Sequence, residues 1–232
     1  MSDDRFPDRR LFLFDIDGTL INTGGAGSAA MRAAFATLYG VEDGFRGIEF
    51  TGRSDLAIIQ DALVAARVAA DGSLAGALRR FKRGYYRQLP LTLLKSQGRV
   101  LPGVAVLLEA LSADPSATLW LGTGNFRNSA GIKLRHYGLW HYFKGGGFGD
   151  RTGERALLIA QGIRAANKRA GRHRSVFVIG DTVHDIAAAK ANRAVAVGVA
   201  TGTTPASDLE AAGADLVLES LEGATVHFAR PD

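Results

Sequence analysis

The chain has 232 residues, of which 47% are hydrophobic, and it contains no cysteine. This composition allows a sizeable core and argues against disorder, and it excludes disulfides, thiolate metal sites and a cysteine nucleophile. The formal net charge is +5, with basic residues concentrated in the segments 79–87 and 164–174. Such clusters can attract anionic metabolites or nucleic acid, but they are also typical of solvated helix faces.

The first ten residues are polar and carry both signs of charge. They lack the apolar segment of a secretory signal, and no apolar stretch in the chain approaches the length of a membrane span. Together with the absence of cysteine, these features lead us to expect a cytoplasmic protein without a membrane partner.

Short apolar runs alternate with longer helical patterns along most of the chain, which predicts an α/β fold with a doubly wound parallel sheet. Strands are expected near 11–14, 118–121, 142–144, 175–179 and 194–199, with a short last strand at 215–218. Helices are expected between them, near 103–113, 129–137, 154–170, 185–191 and 206–212.

The segment between the first two strands has a different character. It shows no convincing strand, and helices are predicted near 29–38, 56–69 and 74–89, the last two capped by Ser54 and Ser73. We therefore expect two domains: residues 1–20 and 98–232 form the α/β core, and residues 21–97 form an inserted helical domain. The glycines at positions 24, 25 and 27 suggest a hinge before it.

Two carboxylates directly follow the first predicted strand, in the sequence Asp15-Ile16-Asp17-Gly18. In an extended chain, Asp15 and Asp17 point to the same side. Two buried like charges are unfavourable without a cation or a shared proton, and Mg²⁺ is a hard cation that takes carboxylate oxygens. The pair therefore indicates a metal site.

Two other predicted strands end in polar residues of related chemistry. One runs into Thr123-Gly124-Asn125, and another runs into Asp181, with Asp185 four residues later. Because ligands of open parallel sheets bind beyond the carboxyl ends of the strands, we expect these groups to line one crevice with Asp15 and Asp17. If the segment is helical, Asp181 and Asp185 share one face.

This set of motifs resembles the haloacid-dehalogenase-like phosphohydrolase superfamily, in its branch containing phosphoglycolate phosphatase and β-phosphoglucomutase. In that family the inserted helical segment is a C1 cap. The matching motifs are Asp15, Asp17 and Thr19 for the first, Thr123 for the second, and Asp181 with Asp185 for the fourth.

The resemblance implies a role for each residue of the first motif. Asp15 would be the nucleophile that forms an aspartyl-phosphate, and Asp17 would protonate the leaving oxygen and then activate water. The implied cofactor is Mg²⁺, held by Asp15, the backbone carbonyl of Asp17 and Asp181, with Asp185 acting directly or through water. His184, which lies between the last two, is interpreted as incidental because neither the motif nor Mg²⁺ requires an imidazole.

The resemblance also implies a phosphate site, in which the Thr123 hydroxyl and the amides of Gly124 and Asn125 bind phosphoryl oxygens. The third motif departs from the family because its usual lysine is missing. Arg155 occupies the corresponding position and keeps the charge, so we favour it over Lys133, which lies on the preceding helix. On this interpretation Lys133→Ala should cost much less activity than Arg155→Ala.

Arg53, in Thr51-Gly52-Arg53, resembles part of a cap loop of this branch. It is either a contact for a substrate carboxylate or phosphate, which would make it a specificity residue, or an exposed arginine on a loop.

The predicted function is Mg²⁺-dependent hydrolysis of a small phosphorylated metabolite, similar to that of phosphoglycolate phosphatase. A β-phosphoglucomutase-like phosphotransferase needs the same core and stays open as an alternative. A non-catalytic module that binds phosphorylated ligands or nucleic acid is disfavoured, because a binder of anions gains nothing from two carboxylates. The dehalogenase branch lacks the second carboxylate, here Asp17, and no Gly-x-Gly-x-x-Gly follows the first strand to indicate a dinucleotide site.

Overall fold

The computed structural model of the chain describes residues 9–68 and 73–228. Most of the polar N-terminal segment and residue 69 of the predicted helix 56–69 lie outside the described residues. That helix ends earlier than predicted, at Ala65. Within the described part of the chain, no helix is long and apolar enough to cross a membrane.

The core is a six-stranded parallel sheet, which confirms the predicted fold class. The apolar residues of the first strand are fully buried, so this strand takes the centre of the sheet. From one edge to the other the strands are β5 (Gly146–Phe148), β4 (Ala117–Thr123), β1 (Arg10–Phe14), β6 (Ser175–Gly180), β7 (Val195–Val199) and β8 (Leu216–Leu218).

Helices cover both faces of the sheet. Alternate side chains of β1 enter opposite cores, with Phe12 and Phe14 in one cluster and Leu11 and Leu13 in the other, as the two-residue period of a strand requires. The α-helices after residue 100 are α4 (Val104–Ala113), α5 (Arg127–His136), α6 (Arg155–Ala170), α7 (Val183–Ala191), α8 (Ala206–Ala211) and α9 (Thr225–Phe228).

Three helices lie between β1 and α4 in the chain, and we call residues 21–97 the helical block. Their buried residues form a cluster of their own that includes Phe35, Phe81 and Tyr85. Two short strands pair antiparallel where the chain leaves the sheet and returns to it. The helices are α1 (Ala26–Tyr39), α2 (Asp55–Ala65) and α3 (Leu74–Lys95), and the short strands are β2 (Ile21–Asn22) and β3 (Arg99–Val100).

The strand predicted at 142–144 is wrong. Tyr142 ends a short 3₁₀ helix, Phe143 packs edge-on against Phe14, and the strand comes later, at Gly146–Phe148. Strand propensity does not predict this strand because glycine is a poor strand former. The glycines are needed here because the strand lies very close to α6. A Cβ on Gly147 would lie 2.1 Å from the carbonyl oxygen of Leu158 in α6.

Helix α3 is longer than the predicted 74–89 because it continues through Pro90 to Lys95. A proline inside a helix typically costs about 3 kcal/mol. Leu89 and Leu93 on either side of it are buried in the helical block, and their burial offsets that cost. The Thr92 hydroxyl also donates to the carbonyl oxygen of Leu89 at 3.0 Å, in the same turn.

Candidate active site

A cavity of about 350 Å³ lies where the carboxyl ends of β1, β4 and β6 face the helical block. The structure brings most of the predicted site residues to its wall. These residues are Asp15, Asp17, Arg53, Gly124, Asn125, Arg155 and Asp181. Thr123 and Asp185 lie directly behind the wall, where Thr123 contacts Asn125 and Asp185 contacts Arg155.

Three buried carboxylates converge at one end of the cavity. Asp15, Asp181 and Asp185 each offer an oxygen, and these oxygens lie within 4.8 Å of one another. Burial raises the pKa of Asp15 to about 6 against the opposing effect of Arg155. Burial, reinforced by Asp15 and Asp185, raises the pKa of Asp181 to about 8. The Oδ1 atom of Asp15 is buried and has no hydrogen-bond partner in the described part of the chain. Three carboxylates this close together are a set of hard oxygens of the kind that Mg²⁺ takes as ligands, so the cluster fits this ion.

The turn after β1 is shaped around Asp181. Gly18 has a φ of +86°, and a Cβ there would lie 2.3 Å from Oδ2 of Asp181, so only glycine fits. The next residue, Thr19, is buried and donates its hydroxyl proton to Oδ1 of Asp181 at 2.9 Å. The first motif therefore fixes the position of a carboxylate from the fourth motif.

The Asp17 side chain is separate from the carboxylate cluster. Its Oδ2 accepts a hydrogen bond from Lys133 Nζ at 2.6 Å and another from the Asn125 amide at 2.9 Å. Lys133 also donates to Oδ1 of Asn125 at 2.7 Å. Burial opposes the charge on Lys133, but Asp17 and Asp55 outweigh it and raise the Lys133 pKa, so the side chain stays cationic.

Arg155, the first residue of α6, supplies a second buried cation. Its Nη2 lies 2.8 Å from Oδ2 of Asp15 and 2.7 Å from Oδ1 of Asp185. Burial opposes its charge, but the two carboxylates raise the Arg155 pKa above its ordinary value. The sequence posed Arg155 and Lys133 as alternatives, whereas the structure places both at the site, one beside each carboxylate of the first motif.

The Thr123 hydroxyl accepts hydrogen bonds from its neighbours in the second-motif loop, so among the described residues its own proton stays free to be donated to a ligand. Thr123 Oγ1 is buried and accepts hydrogen bonds from the backbone and side-chain nitrogens of Asn125, at 3.2 and 2.9 Å. The backbone amide of Asn125 is therefore engaged, through a long hydrogen bond that a phosphoryl oxygen would have to replace. The next two amides, of Phe126 and Arg127, donate to the carboxylates of Asp55 and Asp150.

Arg53 lies on the cavity wall, but its charge is already paired. Its Nη2 lies 2.6 Å from Oδ2 of Asp61, in a partly exposed ion pair. A contact between Arg53 and a substrate anion would have to compete with this pair. His184 lies against the same loop, because a Cβ on the neighbouring Gly52 would come within 2.4 Å of its ring. This position supports packing rather than chemistry for His184.

Asp55 is a site residue that the sequence does not single out, since it only stands between the predicted cap Ser54 and the predicted helix 56–69. It is buried, and its Oδ2 accepts hydrogen bonds from the Phe126 amide at 2.9 Å and the Ser129 hydroxyl at 2.8 Å. Its own amide donates to the carbonyl oxygen of Gly124 at 2.9 Å. Asp55 thus joins the helical block to the second-motif loop, and no local pattern in the sequence reveals a link across 70 residues.

Asp55→Ala should lower the free energy of unfolding by about 1–3 kcal/mol, because it leaves two buried donors without their acceptor. Asp61→Ala, which removes an exposed partner of Arg53, is the matched control and should cost less than about 1 kcal/mol. Urea denaturation measures both. Equal losses for the two variants would show that Asp55 is not a structural link.

Known proteins resemble this chain over most of its length. The family model described as "Hydrolase: haloacid dehalogenase-like hydrolase" matches residues 9–193. Probable phosphatase IndB of Dickeya dadantii (strain 3937) is 28% identical over 210 residues, which make up 90% of this chain and 89% of that protein.

Two solved structures show the same fold. A predicted phosphoglycolate phosphatase from Haemophilus somnus 129PT has a TM-score of 0.67 and 20% identity, covering 95% of this chain and 98% of its own. A candidate β-phosphoglucomutase from Thermotoga maritima has a TM-score of 0.61 and 24% identity, with the same coverage of 95% and 98%. At these identities the likeness concerns the fold, whereas the family model covers most of the chain. The chain belongs to the haloacid dehalogenase-like hydrolase family.

Proposed function

We propose that this enzyme is a Mg²⁺-dependent phosphatase that hydrolyses a small phosphorylated metabolite through a phosphorylated Asp15. One observation carries the proposal: Asp15 directly follows the central strand, belongs to the cluster of three buried carboxylates beside Arg155, and has an oxygen with no hydrogen-bond partner among the described residues. In the proposed organisation, residues 1–20 and 98–232 are the catalytic core and residues 21–97 are the cap. The name of the Dickeya relative supports a phosphatase, and the cysteine-free composition supports a cytoplasmic location.

In the first step, Asp15 attacks phosphorus, and the bond between phosphorus and the leaving oxygen breaks. Asp17 gives that oxygen a proton, while Lys133 and Asn125 hold the Asp17 carboxyl in place. In the second step, Asp17 takes a proton from water, whose oxygen binds phosphorus and frees the Asp15 carboxylate.

The main requirement of this transition state is stabilisation of the negative charge on the phosphoryl oxygens. Arg155 already contacts Asp15, so it lies where it can reach a phosphoryl group being transferred to that residue. The Thr123 hydroxyl, with its proton uncommitted, is a second donor, and the Gly124 and Asn125 amides complete the proposed phosphate site. Such fixed donors typically contribute about 10²–10³ in kcat each.

The residues that would hold Mg²⁺ are Asp15, the Asp17 carbonyl, Asp181 and Asp185. When bound, the ion neutralises charge on the phosphoryl group. The two fourth-motif carboxylates differ in their other partners. Asp181 accepts one hydrogen bond, from Thr19, whereas Asp185 is held by Arg155 and by both the hydroxyl and the amide of Thr182. Asp181 is therefore the freer ligand.

Asp181→Asn should weaken Mg²⁺ binding more than Asp185→Asn does. The measurement is the shift in melting temperature on titrating Mg²⁺, which reports binding to the folded state without requiring activity. Asp185→Asn should instead lower the melting temperature without metal, because it disturbs the α7 capping box and the Arg155 ion pair. Equal or reversed Mg²⁺ shifts would reject the assigned roles.

The proposed function is tested by phosphate release from phenyl phosphate, with Mg²⁺ and with excess chelator. We expect turnover that requires Mg²⁺. No phosphate release from this ester or from a panel of phosphorylated metabolites would contradict the proposal and favour a binding module. The mutase alternative predicts interconversion of sugar phosphates with little release of inorganic phosphate, and the fold shared with the Thermotoga protein keeps that alternative open.

A further inference from the structure

The Tyr85 hydroxyl is buried in the wall of the cavity and has no hydrogen-bond partner within residues 9–68 and 73–228. Tyr85 belongs to α3, its side chain has no solvent exposure, and it lines the same cavity as Asp15, Asp17 and Lys133. An unpaired buried hydroxyl costs roughly 1–3 kcal/mol. Such a cost is expected where a ligand supplies the missing partner.

Neighbouring groups do not satisfy this hydroxyl. Ser129 is close enough to affect the Tyr85 pKa, but no hydrogen bond of normal geometry joins the two hydroxyls, and the Ser129 proton is directed at Asp55 and the Phe126 carbonyl oxygen. Burial, with Asp55 and Asp17 nearby, raises the Tyr85 pKa well above its usual value. Tyr85 is therefore a neutral group that can donate one hydrogen bond and accept another.

The rest of this wall suits an uncharged group. Met31, Phe50 and Ile58 provide apolar surface beside the cavity. Among the described residues on the helical-block side of the lining, the cation is Arg53, and Asp61 neutralises it at 2.6 Å. Lys133 and Arg155 are engaged at the reacting end, by Asp17 and by Asp15 with Asp185.

We propose that Tyr85 is a specificity-determining residue whose hydroxyl binds an uncharged oxygen on the alcohol portion of the substrate. The preferred substrates are then phosphate monoesters of small neutral, hydroxylated alcohols. This inference rests on the proposed phosphatase function and departs from a phosphoglycolate-like preference, because a carboxylate would find no unpaired cation on the described part of this wall.

The test compares three esters: glycerol 1-phosphate, propyl phosphate, which lacks the hydroxyls, and phosphoglycolate, which is anionic. For the wild type we expect kcat/KM for glycerol 1-phosphate to exceed that for propyl phosphate by about tenfold, the scale of one hydrogen bond. Phosphoglycolate should be the slowest of the three. In Tyr85→Phe the tenfold ratio should fall towards one.

Tyr86→Phe is the matched control, since it makes the same change one residue along α3, at a side chain that packs edge-on against Phe126. It should keep the wild-type ratio. Tyr85→Phe should melt at or above the wild-type temperature, because it removes an unpaired buried hydroxyl. A clear drop in melting temperature would show that the hydroxyl has a partner within the protein, which would overturn the proposal.

Activity on phenyl phosphate distinguishes failure of the Tyr85 proposal from failure of the proposed phosphatase function. If the wild type hydrolyses phenyl phosphate but shows no preference for glycerol 1-phosphate over propyl phosphate, the Tyr85 proposal fails and the phosphatase stands. A preference that survives in Tyr85→Phe, or phosphoglycolate as the best ester, also overturns it. If no ester is hydrolysed, the proposed function fails and the Tyr85 inference fails with it.

Discussion

Asp15→Asn should lower phosphatase turnover by on the order of 10⁴-fold or more, the scale seen when a nucleophile is removed. Asparagine keeps the shape of the side chain but cannot attack phosphorus. The fold should survive, because Arg155 keeps its ion pair with Asp185 and the change removes one charge from a crowded cluster. Phosphate release at saturating Mg²⁺ measures the loss, and the melting temperature checks the fold.

Asp208→Asn, at an exposed position in α8, is a matched control and should retain full activity. Near-normal turnover by Asp15→Asn would show that another residue is the nucleophile. Loss of both activity and the folded state would leave Asp15 with a structural role.

Arg155→Ala should lower kcat by about 10²–10³, because it removes a donor aimed at the transferring phosphoryl group. Arg155→Lys should recover part of the loss, since the charge returns without the bidentate geometry. The buried ion pairs of Arg155 with Asp15 and Asp185 affect how the loss of kcat has to be measured. Removing Arg155 leaves Asp15 and Asp185 without their cation, so both variants are assayed at saturating Mg²⁺ with their melting temperatures recorded.

Lys133 offers the discriminating comparison. The sequence alone predicts only a small loss of activity in Lys133→Ala. Because Lys133 contacts Asp17, we now expect a loss that depends on the leaving group of the ester. If Lys133 acts through the general acid, Lys133→Ala should slow propyl phosphate, whose alkoxide needs a proton, more than phenyl phosphate, whose phenolate leaves more easily. Arg155→Ala should slow both esters alike. A mild Arg155→Ala together with a crippling Lys133→Ala on both esters would instead make Lys133 the phosphoryl-binding cation.

Sequence reasoning placed the three strand ends together because parallel topology does so regardless of distance along the chain. Asp15 and Asp181 are 166 positions apart by number, yet β1 and β6 are direct neighbours, in register from Arg10 with Ser175 to Phe14 with Ile179. The apolar runs before each motif were enough to predict this convergence.

The residues that were missed depend on contacts with no local signature. Ser129 is buried on α5, but a hydroxyl is equally typical of a solvated helix. Lys133 was named only as the disfavoured alternative to Arg155, because nothing local in the sequence shows that it contacts Asp17. Asp55 directly precedes one predicted helix and Tyr85 lies inside another, and neither helical pattern predicts a site residue. The strand at Gly146–Phe148 was displaced because its glycines serve close packing against α6 and carry no apolar pattern.

The central claim, a phosphorylated Asp15, is tested most directly by trapping it. The enzyme is quenched with acid during turnover of a good ester and then reduced with borohydride, which converts an aspartyl-phosphate to homoserine while leaving free aspartate unchanged. Peptide mass spectrometry then locates the modified residue. We expect homoserine at position 15, only when substrate and Mg²⁺ are both present. Homoserine at any other aspartate, or a stoichiometric burst of released alcohol with unmodified Asp15, would contradict this account.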